Sequence, residues 1–130
     1  MDCLFCRIVA GEIPAKKVYE DEVAFAFLDI SPWQEGHTLV IPKRHVADVL
    51  ADDEVLAEIA PAVAKVGRLL KERLEADACN VVSNAGPASG QEVFHAHVHV
   101  IPRWDENPGI ANLRTEVTED LDVVWGKVSP

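Results

Sequence analysis

Three histidines occupy every second position in His95-Ala96-His97-Val98-His99-Val100-Ile101. Strand side chains alternate faces with period two, so the run is coherent as a strand with its imidazoles on one side and Ala96, Val98 and Val100 turned into a core on the other. Neighbouring imidazoles then stand about 6.6–7 Å apart at Cα. Five histidines in 130 residues would rarely fall three on one strand face by chance. The fold must therefore place a sheet between an apolar core and a face rich in imidazole.

The remaining patterns supply the layers. Leu4, Phe5, Ile8 and Val9 have helical spacing and predict a short helix over 3–10, ended by Gly11 and Pro14. Strands are predicted over 23–28, 38–41, 80–83 and 96–101, the last stopped by Pro102, with loop chemistry over 29–32 and 85–90. Between them Leu56, Ile59, Ala60, Val63, Val66, Leu69, Leu70 and Leu74 step by three and four, and Asp52, Asp53 and Glu54 precede them, so 54–74 reads as a long helix. Pro61 lies inside it, at a cost of roughly 3 kcal/mol, which predicts a kink near 57–61. This order predicts an α+β domain with a mainly antiparallel sheet and its helices on one face. Residues 1–130 read as one domain, with a core over about 3–103. The acidic segment 104–130 is weakly patterned, with a short helix expected after Thr118.

Twelve Lys plus Arg against twenty-two Asp plus Glu give a net charge of −10, which excludes nucleic-acid binding through overall charge. No apolar window approaches the 18 to 20 residues of a membrane span, and the first residues lack a basic, apolar leader. A cytoplasmic protein without membrane attachment is expected. Three cysteines are too few for a disulfide scaffold, so Cys3, Cys6 and Cys79 are expected as thiols or thiolate ligands. Cys79 borders an apolar strand and reads as packing.

Two chemistries suit the imidazole row. Alternate histidines hold a Zn²⁺ with an open water position, or a neutral imidazole attacks phosphorus and forms a covalent intermediate. The small-residue loop just upstream, Ser83-Asn84-Ala85-Gly86 and Gly90-Gln91-Glu92-Val93, has the character of a backbone N–H cradle for an anion, which favours phosphate.

The row resembles the His-φ-His-φ-His-φ-φ signature of the histidine triad (HIT) nucleotide-binding proteins. Glu12-Ile13-Pro14-Ala15-Lys16, Phe27-Leu28-Asp29-Ile30-Ser31-Pro32, 37–45 and Gly90-Gln91-Glu92-Val93-Phe94 follow the same family's pattern, so the resemblance spans roughly 3–103. It implies a HIT-like fold of about five antiparallel strands with one long and one short helix, and a homodimer joined through the long helix and the sheets. It also implies a hydrolase or transferase acting on the α-phosphate of purine nucleotide conjugates, such as nucleoside phosphoramidates, with AMP or its conjugates as ligand. His97 would attack the α-phosphorus to give a nucleotidyl-histidine, His99 would contact the phosphate, and His95 would set the tautomer or carry protons. Asp29 would hold the ribose hydroxyls with Phe27, Leu28 and Ile30 beside it, and Leu4, Phe5, Ile8 and Ile13 would line the base pocket. Asn84, Gln91 and the backbone near Val93 would hold phosphate and leaving group. His37 would lie near the active site.

The N-terminal Cys3-x-x-Cys6 resembles that of a zinc-bearing bacterial, Hint-like branch, which implies a structural Zn²⁺ on Cys3, Cys6, His45 and His95. Departures from the family pattern leave the substrate open. Glu92 stands where many members have a small hydroxyl residue, and a carboxylate there repels phosphate. Arg103 resembles the branch acting on dinucleoside polyphosphates, so that activity is one alternative; a nucleotide-binding regulatory module with incidental hydrolysis is another.

Overall fold

The computed structural model describes residues 2–110 and 113–130. Three helices, α1 (Leu4–Val9), α2 (Val55–Leu74) and α3 (Leu121–Val128), accompany strands β1 (Lys17–Glu20), β2 (Ala24–Leu28), β3 (Thr38–Pro42), β4 (Ala78–Ser83) and β5 (Val98–Arg103). The strands form one sheet in the order β1-β2-β3-β5-β4, antiparallel at every pairing. Four of these strands and both helices of the core coincide with the hydrophobic patterns. Lys17-Val18-Tyr19-Glu20 escapes them because it is a short edge strand with charged ends and only Val18 and Tyr19 half-buried.

Alternation along the strands separates two cores. Ala24, Ala26, Val40, Val98 and Val100 face α2, which presents Val55, Ile59, Ala62, Val66 and Leu70 at spacings of three and four. Each buried Val, Ile or Leu there contributes about 1.5–3 kcal/mol over exposure. Phe25, Phe27, Leu39 and Ile41 point the other way and pack with Phe5 and Ile8 of α1. The helices therefore cover both faces, not one as the element order suggests. The opening six-residue helix closes the side on which the imidazoles emerge.

α2 runs unbroken through Pro61. Pro61 and Ala57, whose carbonyl loses its helical partner, both lie on the exposed side of the helix. Asp52 Oδ1 accepts from the backbone N–H of Glu54 and Val55 at 2.9 Å each and starts the helix. Arg44 bridges Asp52 (3.0 Å) and Glu58 (2.8 Å), bracing the loop that carries His45. Gly36 is the turn that most requires glycine: its φ is +83°, and a Cβ there would collide with Leu74.

Ladder pairing of β5 begins at Val98, two residues later than the pattern indicates. The Ala96 N–H instead donates to the Val46 carbonyl at 2.6 Å, which ties 95–97 to the loop after β3. The period of two nevertheless persists, with Ala96, Val98 and Val100 all in the α2 core.

Candidate functional site

His95 is fully buried, and its two ring nitrogens have opposite partners. Nε2 lies 2.8 Å from the Pro42 carbonyl, an acceptor, so this nitrogen carries the proton. Nδ1 is left as a lone pair 3.5 Å from Cys3 Sγ and 3.6 Å from Cys6 Sγ, and His45 Nδ1 lies 3.4 Å from Cys6 Sγ. All four ligand atoms fall within 4.8 Å of one another. A tetrahedron with metal bonds of 2.0 to 2.3 Å has edges of about 3.5 Å, so the spacing and the Cys₂His₂ donor set both fit zinc. Desolvation and the adjacent Cys3 push the Cys6 thiol up, so paired thiolates here require a cation. Cys79 lies elsewhere, half-buried against the α2 core.

His97 is oriented by its own segment. Its Nδ1 donates to the His95 carbonyl at 2.7 Å, so in the neutral ring Nε2 is the lone-pair nitrogen. Phe5 packs edge-on against both His95 and His97, with centroids 5.9 and 5.1 Å away. Fixing the zinc-type tetrad thus also fixes the wall behind His97.

His99 belongs to a second cluster with a definite polarity. The Trp33 backbone N–H donates to His37 Nδ1 at 3.1 Å, so His37 carries its proton on Nε2. That nitrogen lies 2.8 Å from His99 Nδ1 and 3.7 Å from Asp29 Oδ2. His99 therefore accepts at Nδ1 and keeps an N–H on Nε2. Burial lowers both imidazoles, His99 to about 4, and neighbouring imidazoles add to the shift in each case. Both are neutral near pH 7, as this polarity requires. The indole of Trp33 stacks on His99 with centroids 4.7 Å apart and an 18° interplanar angle.

His97 and His99 open onto a cavity of about 400 Å³. Its apolar wall comes from α1, β2, β3 and the residues between α1 and β1, including Phe5, Ile8, Ile13, Phe27 and Leu39; among the described residues Asp29 and Glu92 are its ionisable groups besides the histidines. A largely apolar cavity with a few polar groups is the form of a small-molecule site.

A HIT domain family model matches residues 10–106. The chain is a HIT-domain protein. An uncharacterized HIT-like protein of Methanocaldococcus jannaschii is 47% identical over 128 residues, covering 97% of this chain and 98% of that one. Among solved structures, a Zn-bound histidine triad family protein from Mycobacterium smegmatis superimposes with a TM-score of 0.77 at 45% identity, over 81% of this chain and 77% of that chain. A HIT family hydrolase from Clostridium thermocellum gives 0.73 at 37% identity, over 85% and 97%.

In this HIT-domain protein Phe5, Ile8, Phe27, Leu28, Asp29, Ile30, Val93, His97 and His99 all line the cavity, as do Leu4 and Ile13. Asn84 is not on the lining. Gln91 is buried with its amide committed to the loop: Oε1 accepts from the Gly86 N–H at 2.8 Å, and Nε2 donates to the carbonyls of Ala47 (2.8 Å) and Val93 (3.0 Å). Arg103 is absent from the lining and donates to the Asn107 carbonyl at 3.0 Å. Trp33 is the lining residue that the motifs did not indicate. Its signal was available, since a tryptophan in a polar loop four residues before a histidine has to rest on something.

Proposed function

We propose that this chain is a nucleotide-binding hydrolase that cleaves purine nucleotide conjugates of the phosphoramidate type at the α-phosphate. The tautomer of His97 carries this reading: with Nδ1–H held by the His95 carbonyl, the Nε2 lone pair is a nucleophile at the cavity wall. The hydrolase named among the structural relatives supports the same class. In this assignment Phe5, Ile8, Phe27, Leu28 and Ile30 enclose the base, Asp29 holds the ribose hydroxyls, and His99 donates Nε2–H to a phosphate oxygen. The backbone near Val93 borders the phosphate. Asn84 and Gln91 serve this end of the site by shaping its loop.

Nε2 of His97 forms a bond to phosphorus as the P–N bond breaks, and the nitrogen departs with the bonding pair and takes up a proton. Water then cleaves the P–N bond to His97. Its hydroxyl ends on phosphorus, its other proton returns to solvent the one that the departing amine drew from it, and the imidazole is restored. Cys3, Cys6, His45 and His95 would hold a structural Zn²⁺, which would lock the segment leading into His97 and supply no group to the exchange. The open edge of β4 with exposed Val81, beside exposed Leu56 of α2, supplies the surface for a homodimer.

His97→Ala tests the assignment. Hydrolysis of adenosine 5′-phosphoramidate should fall by three or more orders of magnitude while AMP still binds. Retained turnover overturns the nucleophile; absence of nucleotide binding in the unmodified protein overturns the substrate class.

A further inference from the structure

Glu92 is the exposed carboxylate of the cavity lining. Its backbone is fixed on both sides. Gly90 sits at φ +105°, a conformation that favours glycine, and Gln91 is pinned to Gly86, Ala47 and Val93. The carboxylate makes no ion pair or hydrogen bond with the described residues, so it is free to meet a ligand. Asp29 differs: its Oδ1 accepts from the Ser31 N–H at 2.8 Å, and its Oδ2 faces His37. Among the described residues the lining includes no Lys or Arg, and burial holds His99 neutral at pH 7. A ligand bearing several phosphates would therefore bring multiple negative charges to a wall whose unpartnered side chain is a carboxylate.

In-line attack by His97 expels the leaving group on the side away from the nucleophile, and Glu92 is the exposed carboxylate on the lining of that same cavity. Resting on the phosphoramidate reading above, we propose that Glu92 selects the leaving group by charge. It favours amines whose substituent is cationic and rejects anionic ones, a second phosphate included. At a solvent-exposed rim, one unit charge about 4 Å from another changes kcat/KM by about fivefold.

The experiment compares three adenosine 5′-phosphoramidates carrying 2-aminoethyl, propyl or 2-carboxyethyl on nitrogen, with kcat/KM measured on unmodified protein and on Glu92→Gln and Glu92→Lys. Ratios within one enzyme cancel any general loss of activity. The unmodified protein should prefer cation over neutral and neutral over anion, each by about fivefold. Glu92→Gln should bring all three within about twofold, Glu92→Lys should invert the order, and 0.5 M salt should compress the unmodified ratios. A cation-to-anion ratio in Glu92→Gln equal to that of the unmodified protein overturns the assignment to Glu92 while the phosphoramidate reading stands. Failure to turn over even the propyl amide overturns both.

Discussion

His95 and His99 lie four residues apart on one segment, 0% and 6% exposed, and each touches another residue with a nitrogen or sulfur donor. Their chemistries diverge because of what holds the second ring nitrogen. At His95 a carbonyl acceptor takes the Nε2 proton, and the lone pair at Nδ1 joins two thiols and His45. At His99 the partner is His37, whose proton is placed by a backbone N–H, so the contact is a hydrogen bond and the far nitrogen stays a donor. Asp29, His37 and His99 are as closely gathered as a metal site, yet this bond occupies the nitrogens that a metal would need. Ligand-type residues at ligand distances thus specify little until the tautomer is known.

If the division holds, damage to one cluster leaves the other's signature intact. Cys3→Ser should reduce zinc from one ion per chain to below about a tenth and lower stability by roughly 3 kcal/mol, about 10 °C in Tm. His37→Leu should keep its zinc but lose about one to two orders of magnitude in kcat, because nothing then fixes His99 as a donor. Elemental analysis and turnover on both variants decide it. Full zinc in Cys3→Ser, or zinc loss in His37→Leu, would merge the two clusters.

Acid sharpens the contrast from the other side. Unfolded histidine takes up its proton near pH 6.5, whereas folded His99 resists until about 4. The unfolded chain binds more protons in that window, so the stability His99 contributes is full above pH 6.5 and is lost as the pH falls toward 4. Between pH 7 and 5 the loss from His99 should be about 2 kcal/mol. Urea unfolding at both pH values should show this loss in the unmodified protein and a smaller one in His99→Gln, whose tetrad is unchanged. Equal slopes would remove His99 as the source.

Much of this was legible in the residues. Periodicity located α2, the cores of β2, β3 and β4, and α1, because apolar spacing reports directly on which face is buried. The motifs located the tetrad and most of the cavity wall. What stayed hidden depends on contacts distant in sequence. The start of β5 is set by the Ala96 N–H reaching the Val46 carbonyl, and the second helix-covered face exists because Phe25, Phe27, Leu39 and Ile41 are larger and more apolar than a solvated face needs. Gln91 reads as a ligand until its amide is seen bonded to Ala47 and Val93. The polarity of the His37–His99 pair was not legible at all, since it rests on one backbone N–H.

Trp33 gives the smallest and most discriminating test of that polarity, because its backbone and its side chain do different things. The N–H orients His37, while the half-exposed indole lies flat against His99. Trp33→Leu preserves the first and removes the second. Stability should fall by about 1 kcal/mol, the scale of one aromatic pair, and the drop in kcat should be well below that of His37→Leu. The indole also keeps water from His99, so its removal should raise that imidazole toward its ordinary value and flatten the loss of stability between pH 7 and 5. A purely structural role for Trp33 would lower stability equally at both pH values. A kcat loss as large as that of His37→Leu would mean that the indole, and not the backbone N–H, sets the donor on His99.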